Sequence, residues 1–174
     1  TGFGTQWVDV DNDGDLDVFV ANGAVTAIEA QVASGVKHPM AQANQLWLND
    51  SGRYRLLPIE LGPPLVSRGA AFADLDNDGD VDIVVSNNNG AAQLLRNDSD
   101  PLHWLGLEVL SAGGQVATGA LVRLGEGPCG FRRVGTDGSY ASANDHRLLF
   151  GLGHGITRPQ QVTVVWANGV WEAF

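Results

Sequence analysis

Apolar and polar residues alternate along this chain in short runs, the pattern of strands rather than helices. Trp7-Val8-Asp9-Val10 and Phe72-Ala73-Asp74-Leu75 alternate with a period of two, as half-buried strands do. Residues 17–21 and 82–86 are rich in Val, Ile and Phe and end at Asn, which reads as buried strand followed by turn. Residues 46–48 and 94–95 supply third strands. After the turn Asn49-Asp50-Ser51-Gly52, a fourth strand is expected over 54–57. Beyond Asn97 the chain becomes Gly-rich, with strands expected over 103–110, 120–124, 131–135, 148–150 and 161–166. Gly113-Gly114, residues 125–130 and Asp137-Gly138 are the turns between them. The expectation is an all-β protein.

The first hundred residues repeat. WVDVDNDGDLDVFVAN from Trp7 aligns with FADLDNDGDVDIVVSN from Phe72 at an offset of 65, and Gly4 aligns with Gly69. Gln45-Leu46-Trp47-Leu48-Asn49-Asp50 aligns with Gln93-Leu94-Leu95-Arg96-Asn97-Asp98 at an offset of 48. The difference places an insertion of 17 residues in the first copy, read as a loop excursion over about 24–43 with a short helix over 25–33. A four-stranded unit of about 48 residues has the length of a propeller blade. The expected architecture is a partial β-propeller of two blades of about four strands over 1–99, then a small β-rich domain over 102–174, joined at Ser99-Asp100-Pro101. Propellers close with about four to eight blades, so further blades N-terminal to these two are expected.

Charge adds the chemistry. The formal net charge is −10, and ten of the fifteen Asp lie within 9–17 and 74–82. Without those ten, acidic and basic residues balance. Such deposits disfavour nucleic acid, which needs clustered Lys and Arg, and no apolar run approaches the roughly 18 residues that span a bilayer. A cation is the natural partner. Counted from Asp9 or Asp74, carboxylates stand at positions 1, 3, 5, 7 and 9, with Gly14 or Gly79 at position 6 for the bend. Calcium takes six to eight hard oxygens, and alternate Asp in a tight loop aim oxygens at one centre. The expected side-chain ligands are Asp9, Asp11, Asp13 and Asp17 in one loop and Asp74, Asp76, Asp78 and Asp82 in the other. Asp15 and Asp80 are expected to give backbone carbonyls. Two calcium ions result, one per loop. An EF-hand is excluded: its position 12 needs a bidentate Glu, and Val20 and Val85 stand there within strand-like runs. Magnesium suits an all-protein carboxylate cage less well, and a plain polar turn needs one or two Asp, not five twice over.

These loops resemble the FG-GAP/VCBS type of calcium-binding propeller repeat, whose pattern D-x-D-x-D-G-x-x-D is met in full at 9–17 and 74–82. The run from Gly138 through Ser139-Tyr140-Ala141-Ser142-Ala143-Asn144-Asp145 to Gly153 is similar to the signature of the ASPIC/UnbV domain. Val162-Thr163-Val164-Val165-Trp166-Ala167-Asn168-Gly169 is similar to its closing strand and turn, with Ala167 where Pro is usual, and His103-Trp104-Leu105 to its opening. The order resembles the cartilage acidic protein family and its bacterial relatives. That resemblance implies a secreted or surface-exposed protein, extracellular or periplasmic, that binds an unidentified protein or glycan.

No catalytic residue is assigned. Asp145-His146-Arg147 with Ser139, Tyr140 and Ser142 nearby is the tempting cluster, but no G-x-S-x-G elbow accompanies it. His38, His103, His146 and His154 lack zinc spacing, and the lone Cys129 reads as a free buried thiol. Trp7, Trp47 and Trp166 read as core. Asn49-Asp50-Ser51 and Asn97-Asp98-Ser99 are formal glycosylation sequons that read as turns. The expected function is a non-catalytic interaction module with structural calcium. The competing reading is a calcium-dependent lyase or hydrolase acting on polysaccharide from a propeller scaffold.

Overall fold

The computed structural model describes residues 1–99, 102–125, 130–158 and 161–174. The fold is nearly all-β, with antiparallel sheets of which none closes on itself among the described residues. Strands β1 (Gly2–Val8), β2 (Asp17–Asn22), β3 (Gln45–Asp50) and β4 (Arg53–Leu56) form the first sheet in that order. Strands β5 (Ser67–Ala73), β6 (Asp82–Asn87) and β7 (Gln93–Leu95) form the second. The repeat is thus reproduced in three dimensions, and each DNDGD loop connects the first two strands of its sheet. The second sheet stops at three strands, because the chain leaves after Asn97 where the first copy turns back through Ser51 and Gly52.

Alternation along β2 places Asp17, Phe19 and Ala21 on one buried face, joined by Leu46 and Leu48 of β3. Against it lie Ala70, Phe72, Ile83 and Val85 of the second sheet, in one shared core. Phe19 and Phe72 meet edge to face at 5.8 Å and 74°, a contact worth about 0.5–1.5 kcal/mol beyond the area it buries. At Gly4 a Cβ would come within 2.6–2.9 Å of the main chain at Arg68, Gly69 and Ala70, so only glycine lets β1 approach β5 this closely.

The insertion leaves the first sheet through the bridge Gly23↔Ala41 and carries a five-residue helix, α1 (Glu29–Ala33), shorter than expected and with no buried residue. Arg68 fastens its start, donating to the carbonyl of Ala24 while lying over the ring of Phe3.

In the C-terminal region β8 (His103–Leu107) pairs with β11 (Leu148–Gly153). Strands β9 (Leu121–Leu124), β10 (Arg132–Arg133), β12 (Val162–Val165) and β13 (Trp171–Ala173) make a sheet of order β10-β9-β12-β13. Val122, Leu124, Val134, Leu148, Phe150 and Val164 form a second core between these sheets, with Trp166 packed against it. Each expected strand has a counterpart, and β13 was not foreseen. Trp7 is a correction: it is 57% exposed and not core, because it lies on the face of β1 turned away from the second sheet. Trp47, on that same face, is partly buried. Cys129, most of the 125–130 turn and the Asp100-Pro101 junction fall outside the described residues.

Candidate metal sites

The two acidic loops fold alike. Asn12 and Asn77 take left-handed φ of 58° and 61°, a conformation Asn tolerates, and Gly14 and Gly79 take 97° and 96°. Those turns bring the N–H of Gly14 to Asp9 Oδ2 and that of Gly79 to Asp74 Oδ2, both at 3.1 Å. Asp17 and Asp82 are hubs. Oδ2 of each accepts from the start of its loop (Val10 at 2.9 Å, Leu75 at 3.0 Å), and Oδ1 accepts from the third strand or its end (Asn49 at 2.8 Å, Asn97 at 2.9 Å). The ninth-position carboxylate therefore ties loop to sheet, a role that spacing alone did not show.

In the first loop Asp9, Asp11 and Asp17 each bring one carboxylate oxygen within 4.8 Å of the others; in the second, Asp74, Asp76 and Asp78 do so. Asp13 and Asp82 stand outside these tight groups, Asp13 accepting the N–H of Asp15 at 2.8 Å. The side chains of Asp15 and Asp80 are engaged elsewhere. Asp15 accepts from Ser51 N, and Asp80 from Asn12 Nδ2 at 2.6 Å and Ser99 Oγ at 3.3 Å.

Buried carboxylate oxygens need partners. Asp9 Oδ1 and Asp11 Oδ1 are fully buried, with none among the described residues. Burial, and next the charge of Asp13, push Asp9 up to about 7, and burial pushes Asp17 up to about 6. Asp13, Asp76 and Asp80 are raised as well, burial first in each case. A hard divalent cation answers all of these features, so the donor set fits calcium.

The loops interlock with each other and with the C-terminal region. Asn12 Nδ2 donates to the carbonyl of Gly79 as well as to Asp80, and Asn97 Nδ2 to the carbonyl of Val10 at 2.7 Å. From β11, the N–H of Gly151 donates to Asp9 Oδ2 at 3.1 Å and that of Gly153 to the carbonyl of Asn12 at 2.9 Å. Trp104 lies against Gly79, where a Cβ would strike its indole. Arg147 donates to Asn77 Oδ1 at 2.7 Å and to the carbonyl of Asp74 at 2.9 Å. The run from Gly138 reaches both β1 and β5. Tyr140 meets Phe3, Ser142 lies against Gly69, and Phe72 donates its N–H to Asn144 Oδ1 while its carbonyl accepts the N–H of Asp145.

Asp145, His146, Arg147 and Ser142 of the tempting catalytic cluster are engaged in contacts within the protein. Both oxygens of Asp145 are bonded to Arg147, and His146 Nε2 lies 3.0 Å from Glu108 Oε1. Ser142 Oγ donates to the carbonyl of Tyr140. No histidine joins a metal-ligating group among the described residues. Asn49 and Asn97 bond within their turns, Asn49 Oδ1 accepting from Gly52 and Asn97 Oδ1 from Ser99. A cleft of about 660 Å³ opens between the two regions, its walls including Trp104, Glu108, Phe131, Arg133, Asp145 and Arg147. Sequence reading gave Asn12 no role, read Asn97 only as a turn, and met Trp104 and Gly151 only within stretches similar to the ASPIC/UnbV domain, with no link to the acidic loops.

Comparison with protein families agrees with this arrangement. Residues 9–85 match the family described as FG-GAP-like repeat, and residues 111–174 match ASPIC and UnbV. The chain is therefore an FG-GAP-like repeat region followed by an ASPIC/UnbV domain. No curated protein matches it.

Proposed function

We propose that this chain is an extracellular or periplasmic interaction module whose two acidic loops each hold one structural calcium ion. The observation that carries the reading is the pair of buried oxygens, Asp9 Oδ1 and Asp11 Oδ1, without partners among the described residues and beside Asp17 in a loop of the FG-GAP-like repeat. Asp9, Asp11, Asp13 and Asp17, and likewise Asp74, Asp76, Asp78 and Asp82, supply side-chain oxygens. Asp15 and Asp80 turn their side chains to other partners and offer backbone carbonyls. FG-GAP-like repeats are typically extracellular, where calcium is abundant enough for sites of about 10⁻⁴–10⁻³ M. The chain divides into domains at 1–99 and 102–174, and no described helix is long and apolar enough to cross a membrane.

The ions act on architecture. Each screens carboxylates that otherwise repel, and the first fixes the carboxylate on which Gly151 docks. The interdomain cleft, walled by Trp104 and Phe131 with Glu108 and Arg133, is the place for a protein or glycan ligand. Binding rather than catalysis is favoured because Asp145 and Arg147 neutralise each other. Calorimetric titration of chelator-stripped protein tests the reading. Two calcium sites and a higher melting temperature in calcium are expected, and folded protein that takes up no calcium would refute it.

A further inference from the structure

Two asparagines join the acidic loops to each other. Asn12, fourth in the first loop and only 1% exposed, donates Nδ2 to the carbonyl of Gly79 at 3.1 Å and to Asp80 Oδ1 at 2.6 Å, both in the second loop. Its Oδ1 is buried with no hydrogen-bond partner among the described residues, so the amide is held from the second loop alone. Asn97 makes the return connection. Its N–H donates to Asp82 Oδ1 at 2.9 Å and its Nδ2 to the carbonyl of Val10 at 2.7 Å, and the N–H of Val10 donates to Asp17 Oδ2 at 2.9 Å. The ninth-position carboxylates of the two loops thus stand at the ends of one hydrogen-bonded chain, Asp82–Asn97–Val10–Asp17.

The repeat shows that these links are particular to this junction. Asn49, the counterpart of Asn97, turns its Nδ2 back to Leu16 of its own loop at 3.1 Å, and Asn77, the counterpart of Asn12, accepts from Arg147. A contiguous network of this kind can carry the state of one site to another. Without a cation the carboxylates of the second loop repel one another. A loop that opens takes Gly79 and Asp80 away from Asn12 and leaves a buried amide with no partner, which is costly. An ion in the second loop holds that segment, and with it Asn12, which stands between Asp11 and Asp13. By linkage the effect runs equally in reverse. Charge alone acts in the opposite sense, because two cations repel.

We propose that the two calcium sites bind cooperatively, with Asn12 and Asn97 as the positioning residues that carry occupancy of one loop to the other. The proposal rests on the calcium reading above. The N–H groups of Gly14 and Gly79 are each bonded to the first carboxylate of their own loop, so amide NMR during calcium titration of the whole chain reports the two sites separately. Both glycines are expected to respond over the same calcium range. Asp76→Ala, which disables the second loop and removes the Gly79 response, should raise the calcium needed at Gly14 at least about fivefold. In Asn12→Gly, which suits the left-handed φ of 58° at that position, and in Asn97→Ala, the same Asp76→Ala change should move the Gly14 midpoint less than about twofold, as for independent sites. A Gly14 midpoint that Asp76→Ala leaves within about twofold in the otherwise native chain overturns the proposal. So does a full shift that survives both asparagine variants. Calcium that moves neither glycine refutes the calcium reading itself, and the coupling with it.

Discussion

Asp9 and Gly151 lie 142 residues apart, yet the main-chain N–H of Gly151 donates to Asp9 Oδ2 at 3.1 Å. The first carboxylate of the first acidic loop is thereby shared between its own turn, through Gly14, and the ASPIC/UnbV domain. Gly151 reaches it only because it lacks a side chain: a Cβ would run into the main chain of Asn12, which cannot yield as a flexible side chain would. Gly151→Ala should destabilise the protein by about 1–3 kcal/mol, the usual range for overpacking. It should also weaken calcium binding at the first loop. Melting in calcium and limited proteolysis of the junction near residue 100 measure this. Gly113→Ala, whose Cβ would meet only Ser111 Oγ at 3.8 Å, is the control expected to change little.

Acidity should act on the metal-free protein opposite to the usual sense. Asp9 at about 7 and Asp17 at about 6 bind protons in the folded state that the unfolded chain, near 3.8, has already released. Where the folded state holds more protons, stability falls as pH rises. In chelator, then, stability should decline from about pH 4 to about pH 7 and level off above. Asp137, lowered by its Arg133 partner, works the other way but is exposed and contributes little. Calcium replaces those protons, so its affinity should climb through the same window, with proton release on binding. Denaturant midpoints at pH 4.5, 6 and 7.5, with and without calcium, read both slopes. A chelator midpoint that rises across this range contradicts the argument.

The shared core makes a further claim testable. Phe72 is buried against Phe19 across the two sheets, so Phe72→Ala should cost about 3–5 kcal/mol. It should do so in one transition, because neither sheet keeps a complete core without the other. Circular dichroism and tryptophan fluorescence should give coincident melts for both wild type and variant. Two separated transitions in the wild type would show that the sheets fold independently.

Local signals were legible in the sequence; long-range ones were not. The period-two runs, the 65-residue offset and the D-x-D-x-D-G-x-x-D spacing state strands, repeat and loops directly. Gly14 and Gly79 take the positive φ their position demands. The docking of Gly151 on Asp9 and of Gly153 on Asn12 pairs residues from opposite ends of the chain, and that of Trp104 on Gly79 joins the repeat region to the one that follows it; no local pattern encodes such contacts. Trp7 shows a subtler limit. An alternating run with an aromatic residue correctly marks an apolar face, but burial depends on what covers that face. The ninth-position Asp was read only as a ligand because one spacing serves both purposes, coordination and the bracing of a loop against its third strand.

Asp11 and Asp17 separate those two purposes. Asp17 spends each oxygen on a main-chain N–H, from Val10 and from Asn49. In Asp17→Asn one of these donors faces an amide NH₂ instead, an unmet bond costing about 1–3 kcal/mol. That loss should appear in calcium and in chelator alike, since it arises within the protein. Asp11 Oδ1 is buried without a hydrogen-bond partner among the described residues. Asp11→Asn removes one charge from a crowded loop and breaks no bond at that oxygen. It should leave the chelator melt unchanged or slightly raised while weakening calcium binding at least about tenfold. Paired melts and calcium titrations of the two variants decide the matter. If Asp11→Asn destabilises the metal-free protein as much as Asp17→Asn does, Asp11 is part of the loop's own bracing and its buried oxygen is not held open for a cation.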